Sequence, residues 1–491
     1  MNLHHLFDQS SVALKRAIVD EVARNDLVSF TQLAFETVVP GELLHLNWHL
    51  RAMAYALEQV RQGKIKRLII TVPPRHLKSL MGSVAFPAFV LGHKPNTKIL
   101  CASYSAELAI KHANDFRAVM RSARYRRLFP HCQISPEKNT ELELMTTSRG
   151  GRFATSVGGT VTGRGGSIII LDDPMKPDDA LSEVRRQSVI DWFRLTLLSR
   201  LNAKLDDAIV VIMQRIHDQD LVGVLLEEGG WHHLNLPAIA DRDLDIPIGE
   251  GKTHRFAAGD VLDAVRKPRH VLDQMKASMG SMAFSAQFLQ RPIPAEGNLI
   301  KRAWLQFYQV APEPTSNDQI VISIDTAMKA DEIADYSVAT VWLMKKEKYY
   351  LLDLIRGRFD YPALKKQVLR LKQRWLGATI LIEDKGSGTS LIQDLRYENL
   401  SVIGIKPEGD KTTRLYSTQA IFEAGSALFP REAPWLQDMI HELLAFPKYR
   451  HDDQVDSISQ ALIWMRRRAW SAQDGDLGMP IVVPKDPTWE W

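Results

Sequence analysis

Short apolar runs alternate with helix-like segments along the first half of the chain. Four runs rich in β-branched residues indicate buried strands, at 68–72, 98–104, 167–171 and 208–213. Apolar residues recur at helical spacing between them and throughout residues 1–60, where Asn47 is a plausible helix cap. Residues 150–166 are rich in glycine and are predicted as a connector. Strands that alternate with helices favour a mostly parallel α/β sheet.

A different pattern follows residue 315. VISIDTA, SVATVWLM and YYLLDLIRGR are separated by turn-like gaps, which indicates adjacent antiparallel strands. Helices then alternate with ATILIED and SVIGIKP, so the pattern predicts a mixed sheet. The predicted organisation is a helical segment at 1–60, a parallel-sheet core at 61–245, a connecting region at 246–315, a mixed-sheet domain at 316–470 and a tail at 471–491. Proline, glycine and charge are concentrated in the connecting region.

Composition adds few constraints. Apolar residues make up 45% and charged residues 24% of 491 residues, which excludes disordered, collagen-like and coiled-coil chains. The two cysteines exclude a disulfide framework and indicate a reducing compartment. No apolar run approaches the ~18 residues that span a bilayer. We therefore expect a cytoplasmic protein that does not contact membranes.

Polar residues follow three of the N-terminal strands. Lys78 and Ser79 open a helix after the first, Asp172 and Asp173 end the third, and Gln214 follows the fourth. A lysine and a hydroxyl at a helix start suit a triphosphate with Mg²⁺, and ligands of open α/β sheets bind at the carboxyl edge. The standard glycine pattern is not met, because Val72 and Leu77 replace its glycines. The three strand ends together favour an ATPase.

Carboxylates concentrate in the C-terminal domain. Asp325 and the pair Glu383–Asp384 end strands, and a helix starts with Asp452, Asp453 and Asp456. Like charges 4 Å apart repel by ~4 kcal/mol at an effective dielectric near 20, whereas divalent cations reverse that sign. Two hard cations held by such a cluster would suit phosphodiester cleavage.

These motifs resemble those of the phage terminase large subunit family over roughly residues 40–470. PPRHLKS resembles its variant Walker A motif, IIILDDP its Walker B motif and VVIMQRIHDQDL its coupling segment, while NWH (47–49) resembles the adenine-contacting segment of related motors. VISIDTAMKADEIADYSVATVW, LIEDKGSGTSLIQDL and HDDQVDSISQAL resemble the three acidic segments of its nuclease domain. The resemblance implies a P-loop (ASCE-type) ATPase core at 61–245 and a ribonuclease-H-like nuclease at 316–470.

The resemblance also implies site residues. Nucleotide binding falls to Pro74, Arg75, His76, Leu77, Lys78, Ser79, Asp172 and Gln214. Asp173 would polarise the attacking water, with Glu183 as the fallback. The candidates for the arginine finger are Arg75, Arg152, Arg164 and Arg215, and Arg164 is the one we adopt. The metal ligands would be Asp325, Glu383 or Asp384, and Asp453, with Asp456 and Asp452 in support. Lys385, Lys411 and Arg414 are candidate contacts to DNA phosphates.

Two departures from the family pattern bear on the ATPase site. Leu77 stands where the family usually has glycine, which costs ~1–2 kcal/mol if that backbone is left-handed. Asp173 stands where many members have glutamate, and its shorter reach leaves the identity of the catalytic base open.

By resemblance the chain would use ATP to translocate double-stranded DNA into a procapsid and cut concatemers with Mg²⁺, for which Mn²⁺ can substitute. Its expected partners are a portal protein and a small terminase subunit, and it would form a homo-oligomeric ring on packaging and a monomer in isolation. It would work in the cytoplasm of a bacterial host. The alternatives are a DNA-repair or transposition-type nuclease with a non-motor ATPase, and a non-catalytic scaffold.

Overall fold

A computed structural model describes residues 11–161, 163–203, 205–292, 299–315, 318–326, 336–447, 449 and 451–473. The chain divides into two compact units, Met1–Lys276 with Ser281–Pro294, and Ala277–Gly280 with Ala295–Trp491. The change between them falls inside the predicted connecting region 246–315. Most of the predicted tail, from residue 474 onward, lies outside the described residues. Within those ranges, none of the helices is both long and apolar enough to cross a bilayer.

The described part of the first unit contains ten strands. They are β1 Arg67–Thr71, β2 Lys98–Ser103, β3 Ile134–Asn139, β4 Glu143–Thr146, β5 Gly151–Ser156, β6 Ile168–Asp172, β7 Ala208–Met213, β8 His232–Asn235, β9 Leu244–Gly249 and β10 Lys252–Phe256. Its α-helices are α1 Val12–Asn25, α2 Leu27–Val38, α3 Trp48–Arg61, α4 Phe86–His93, α5 Ala106–Arg121, α6 Ala123–Leu128, α7 Glu183–Asp191 and α8 Leu221–Glu228. Helix α9, Arg269–Met279, reaches the division between the units, and α10, Ser281–Gln287, follows it.

Eight strands form one sheet in the order β3-β4-β5-β2-β6-β7-β1-β8. Pairing is parallel from β5 to β8 and antiparallel only at the β3–β4–β5 end. The four predicted strands are β1, β2, β6 and β7, adjacent members of the parallel part. Successive side chains of a strand face opposite sides. Accordingly, Leu68 and Ile70 pack with α2, α3 and α4, whereas Ile69 packs with α8 on the other face.

One segment differs from its predicted role. The glycine-rich stretch 150–166, predicted as a connector, begins with strand β5, which pairs in parallel with β2. Its sequence GRFATS has no continuous apolar run, although Arg152, Ala154 and Thr155 are buried. A buried strand with polar side chains does not produce the apolar pattern on which strand prediction depends.

Seven strands and five α-helices make up the described part of the second unit. The strands are β11 Gln306–Tyr308, β12 Gln319–Asp325, β13 Ser337–Lys345, β14 Lys348–Gly357, β15 Thr379–Glu383, β16 Val402–Ile405 and β17 Ala427–Pro430. The helices are α11 Tyr361–Arg374, α12 Ser387–Tyr397, α13 Lys411–Glu423, α14 Leu436–Ala445 and α15 Asp453–Gln473.

These strands form one mixed sheet in the order β11-β17-β14-β13-β12-β15-β16. β12, β13 and β14 pair antiparallel, as the turn-like gaps predict, and β15 pairs in parallel with β12. Helices α13, α14 and α15 cover one face, and α11 and α12 cover the other. The apolar stripe of α15 is fully buried, at Val455, Ile458, Leu462 and Met465.

Candidate functional sites

The loop after β1 is shaped by two left-handed residues, Arg75 at φ 66° and Leu77 at φ 63°. Lys78 and Ser79 then open a helical segment that continues through a π-helical part, Leu80–Ala85, into α4. Gly82 lets this segment approach β7, because a Cβ there would clash with the Ile212 side chain. The loop and helix start are therefore held at the carboxyl end of β1.

Lys78 connects three strand ends. Its buried Nζ donates to Gln214 Oε1 at 2.6 Å and lies 3.0 Å from Asp173 Oδ2. The two partners follow β7 and β6, which lie beside β1 at the same edge of the sheet. The residues that the sequence selects at three strand ends thus come together around one ammonium group.

Asp172 is the fully buried acid of this site. It accepts hydrogen bonds from Ser79 Oγ at 3.0 Å and Ser83 Oγ at 2.8 Å, and His112 Nδ1 lies 3.5 Å from its carboxylate. A helix hydroxyl paired with a strand-end aspartate is the pair that holds Mg²⁺ in P-loop enzymes. Ser83 and His112 were missed by sequence analysis. The i,i+4 spacing of Ser79 and Ser83 is a signal that could have found Ser83.

Asp173 has an altered acidity. Burial, opposed by Lys78 and reinforced by Asp172, raises the pKa of its carboxyl to about 6. Its backbone is left-handed, at φ 45°, and its side chain contacts Lys78. Glu183, the fallback base, lies in the exposed first turn of α7. Of the two acids considered as the catalytic base, Asp173 is therefore the one that contacts Lys78.

Three of the candidate arginines have structural partners. Arg152 is buried and donates to Ser83 O at 3.2 Å, and Arg215 Nε lies 3.0 Å from both carboxylate oxygens of buried Asp220. Arg164 pairs with Glu143 and lies 4.0 Å from the centre of the Phe153 ring.

Arg164 lies at the edge of the sheet opposite the Lys78 site, so it does not contact that site within its own chain. It lines a cavity of about 430 Å³ together with Lys98 and Gly151, the first residues of two parallel strands. Lys78 lies beyond the carboxyl ends of such strands. The predicted catalytic role of Arg164 is therefore not met in cis and would require a second copy of the chain.

Two buried histidines, His76 in the loop and His49 in α3, contact each other beside the phosphate-loop residues. His76 Nδ1 lies 3.0 Å from Pro74 O, and its ring contacts that of His49 at a centroid distance of 5.4 Å. Lys267 Nζ donates to Pro74 O at 2.9 Å, a contact across 193 residues that no local sequence signal predicts. Asn47 caps α3 and Trp48 stacks on His254, so NWH joins α3 to the β9–β10 hairpin.

These histidines predict acid sensitivity. Burial lowers the pKa of His49 to about 4 and that of His76 to about 3. The unfolded chain takes up protons below about pH 6.5 while the folded chain does not, so stability falls as pH falls. We expect each histidine to cost about 2 kcal/mol of unfolding free energy between pH 7 and pH 5.

Chemical denaturation at the two pH values measures this loss. His49→Leu should reduce it by about 2 kcal/mol, because leucine has no group that takes up a proton in the unfolded chain. His131→Gln, at an exposed position, is the control and should leave the loss unchanged. An equal pH dependence in the wild type and His49→Leu would contradict the assignment.

Leu77 gives a second prediction, in which Leu77→Gly is more stable than Leu77→Ala. Both variants lose the same packing of a partly buried side chain, but only alanine keeps the strained left-handed Cβ. Glycine should be favoured by about 1 kcal/mol, measured as the difference in unfolding free energy. In an ordinary helical backbone the order would be reversed, and that order would disprove the strain.

The carboxylates of the second unit gather at one edge of the mixed sheet. Asp325 ends β12 and Glu383 ends β15, and the parallel register pairs Ile324 with Ile382, one residue earlier in each strand. Adjacent parallel strands therefore end in two neighbouring acids. The first turn of α15, which packs on the same sheet, adds Asp453 and Asp456.

Glu383 and Asp384 face different surroundings. Glu383 Oε2 lies 3.8 Å from Arg414, which also contacts Asp456. Asp384 is exposed and accepts a hydrogen bond from Thr389 Oγ1 at 2.8 Å. Successive residues at a strand end point to opposite sides. The structure thus brings Glu383 into the cluster and directs Asp384, predicted beside it as a metal ligand, away from it.

Two cations of α13 enter the cluster. Lys411 Nζ lies 2.6 Å from Asp452 and 2.7 Å from Asp456, and Arg414 lies 2.7 Å from Asp456. Both were expected as contacts to DNA phosphates, but they contact the carboxylates. Lys385 is exposed beside Asp384. The i,i+3 spacing of Lys411 and Arg414 places both on the helix face toward α15.

The cluster remains acidic despite these cations. Five carboxylates, those of Asp325, Glu383, Asp452, Asp453 and Asp456, share two positive groups. Desolvation and the charges of Asp456, Glu383 and Asp453 raise the pKa of Asp325 well above its usual value, against the effect of Lys411. Across the described ranges, no three His, Cys, Asp or Glu side chains are already arranged to hold a metal ion. The donor chemistry suits hard divalent cations, which would have to displace Lys411 or Arg414 from the acids.

Buried hydroxyls fix the position of α15 against the sheet. Ser457 Oγ donates to Ser323 O at 2.8 Å and lies 2.7 Å from Thr340 Oγ1, and Gln460 Nε2 donates to Ser323 Oγ at 2.9 Å. Ser457 directly follows Asp456, and Ser323 precedes Asp325 by two residues on the same face of β12. These bonds therefore set the acids of the helix beside the acid of the strand.

The comparisons with known proteins agree with this architecture. Residues 322–464 match the family model described as a terminase RNaseH-like domain. The large terminase of a thermophilic bacteriophage (crystal form 2) is 10% identical with a TM-score of 0.55, over 85% of this chain and 98% of that chain. The same terminase in complex with ATP-gamma-S is 10% identical with a TM-score of 0.52, over 84% and 98%. No curated protein matches the chain.

The fold defines a two-domain α/β protein with a P-loop type sheet and a ribonuclease-H-like mixed sheet. Strand β7 lies between β1 and β6 in the parallel part of the first sheet. The family match over residues 322–464 and the shared two-domain fold together confirm the predicted resemblance to the terminase large subunit family.

Proposed function

We propose that this chain is the large subunit of a phage terminase, which hydrolyses ATP to move double-stranded DNA into a procapsid and cuts concatemeric DNA with a divalent metal. The observation that carries the proposal is the presence of two chemically different sites on one chain. One is built around Lys78 in the first unit, and the other is the carboxylate cluster of a domain that matches the terminase RNaseH-like family.

The residues of the first site support ATP hydrolysis. Lys78 would neutralise the β- and γ-phosphates, and Ser79 with Asp172 would hold Mg²⁺. Asp173, already in contact with Lys78, would polarise the attacking water, and Gln214 would link the nucleotide to strand β7. The thermophilic phage terminase whose fold this chain shares has been solved in complex with ATP-gamma-S.

The residues of the second site support phosphodiester cleavage. Asp325, Glu383, Asp453 and Asp456 would hold divalent cations, Mg²⁺ with Mn²⁺ as a substitute. The cations would stabilise the attacking and leaving oxygens when bound. Lys411 and Arg414 balance part of the negative charge of the cluster. Once released from the carboxylates, these two side chains could contact a DNA phosphate, the role expected for them from the sequence.

The proposed partners are double-stranded DNA, a portal protein on a procapsid and a small terminase subunit, in the cytoplasm of a bacterial host. A homo-oligomeric ring during packaging would let Arg164 of one copy approach the Lys78 site of the next. A DNA-repair or transposition-type nuclease is the alternative. Its ATPase would not respond to a procapsid that carries a portal.

The test measures both activities on the purified chain. Linear DNA incubated with Mg²⁺ or Mn²⁺ should be cut, and EDTA should stop the cutting. ATP hydrolysis should increase when DNA and portal-bearing procapsids are added together. Cleavage without such stimulation would favour the alternative, and the loss of both activities would favour a scaffold.

A further inference from the structure

The helix that carries Asp453 and Asp456 begins against a buried acid from another helix. The first amides of a helix have no partner within it and need an acceptor. Glu442, in α14 and fully buried, supplies that acceptor. Its Oε1 accepts from the backbone N–H of Gln454 at 2.7 Å and of Val455 at 3.3 Å, and its Oε2 accepts from Gln454 Nε2 at 2.6 Å.

This arrangement is costly if its purpose is only to cap a helix. The residue just before the helix, Asp452, is of a type that commonly caps helices, but its carboxylate contacts Lys411 at 2.6 Å. A fully buried carboxylate loses its hydration, which is strongly unfavourable unless the charge is well paired. The Arg356 guanidinium is 3.6 Å from Glu442, and it is also held over the Tyr336 ring at 4.2 Å. The chain therefore places a charged pair beneath this helix start.

The residues that Glu442 holds lie between the two acids of the cluster. Gln454 and Val455 separate Asp453 from Asp456, so three hydrogen bonds to one carboxylate fix the turn from which both acids project. The hydroxyl contacts of Ser457 fix the next turn against β12. Without Glu442, the N-terminal turn would lose its anchor while the rest of α15 stayed packed through its apolar stripe.

We propose that Glu442 is a positioning residue of the carboxylate site, which holds the first turn of α15 so that Asp453 and Asp456 meet Asp325 and Glu383. The proposal rests on the function proposed above, because it assumes that these acids bind a divalent cation. Groups that orient metal ligands without touching the metal typically change metal affinity by about 10–100-fold when they are substituted.

The test is Mn²⁺ binding to the full chain, measured by calorimetry for the wild type and Glu442→Gln. The substitution keeps the size of the side chain and one acceptor for the backbone amides. It removes the negative charge that strengthens the hydrogen bonds from the backbone amides of Gln454 and Val455. We expect Mn²⁺ affinity to fall about 10-fold in protein that is folded by circular dichroism.

Two further variants separate positioning from general stability. Val368→Ala removes buried methyl groups from α11 on the opposite face of the sheet, so it should lower the melting temperature without changing Mn²⁺ affinity. If Glu442→Gln does not fold, Gln454→Met is measured instead, with an expected loss of about 3-fold or more.

The outcomes are distinguishable. An Mn²⁺ affinity within twofold of the wild type in folded Glu442→Gln, or in Gln454→Met where it replaces that variant, would overturn the positioning role and leave the nuclease proposal intact. A wild type that binds no Mn²⁺ would overturn the nuclease proposal itself. A parallel loss of affinity in Val368→Ala would show that the effect follows stability, and the positioning role would be rejected.

Discussion

Lys78→Ala is expected to lower ATP hydrolysis at least about 100-fold, the scale on which removal of one preorganised electrostatic group acts. The Lys78 ammonium is buried between Gln214 and Asp173, at the edge where three strands end. Alanine removes the positive charge that would face the phosphates and leaves Asp172 and Asp173 without it. Steady-state phosphate release measures the effect, with metal-dependent DNA cutting measured on the same preparation.

Lys66→Ala is the matched control for this substitution. Lys66 directly precedes β1, at the opposite end from Lys78, and its exposed ammonium donates to Asp206 O. ATP hydrolysis should be unchanged in Lys66→Ala, and DNA cutting should persist in both variants. ATP turnover within threefold of the wild type in folded Lys78→Ala would exclude PPRHLKS as the phosphate-binding loop.

The fold could be predicted where burial made the chain uniformly apolar. β1, β6 and β7 are buried on both faces by helices, and each contains a continuous apolar run. β5 was missed because its buried positions include Arg152 and Thr155, and β9 and β10 because charged and exposed residues interrupt them. Pairing with the distant strand β2 decided β5, whereas β9 and β10 pair with each other as a hairpin. Neither kind of pairing is visible in a pattern of apolar residues.

The candidate sites, like the strands, could be predicted only where a local sequence pattern marks them. Parallel strands place their carboxyl ends at one edge, so Lys78, Asp172 and Gln214 could be associated from the sequence alone. Which of two successive residues at a strand end faces the site could not be inferred. In the structure Glu383 points into the cluster and Asp384 points away from it. Partners that approach from distant segments left no local signal, as Lys267, His112 and Glu442 show.

The direction of these two neighbouring acids predicts opposite results for a matched pair of substitutions. Glu383→Gln should lower metal-dependent DNA cleavage more than about 100-fold, because loss of a direct ligand should exceed the 10–100-fold cost of losing a group that only orients one. Asp384→Asn should retain cleavage within about threefold, since its side chain is exposed and faces Thr389. Both changes remove one negative charge and keep the side-chain size, so general electrostatics does not distinguish them.

Asp453→Ala should behave as Glu383→Gln does, and ATP hydrolysis should remain near the wild-type rate in all three variants. Cleavage is measured on linear DNA at several Mn²⁺ concentrations, so that a loss of metal affinity is separated from a loss of maximal rate. If Asp384→Asn were the inactive member of the pair, the acid that follows β15 would face the site in the working enzyme and the cluster around Arg414 would not be its metal centre. Loss of ATP hydrolysis together with cleavage in Asp453→Ala would contradict the division into two independent sites.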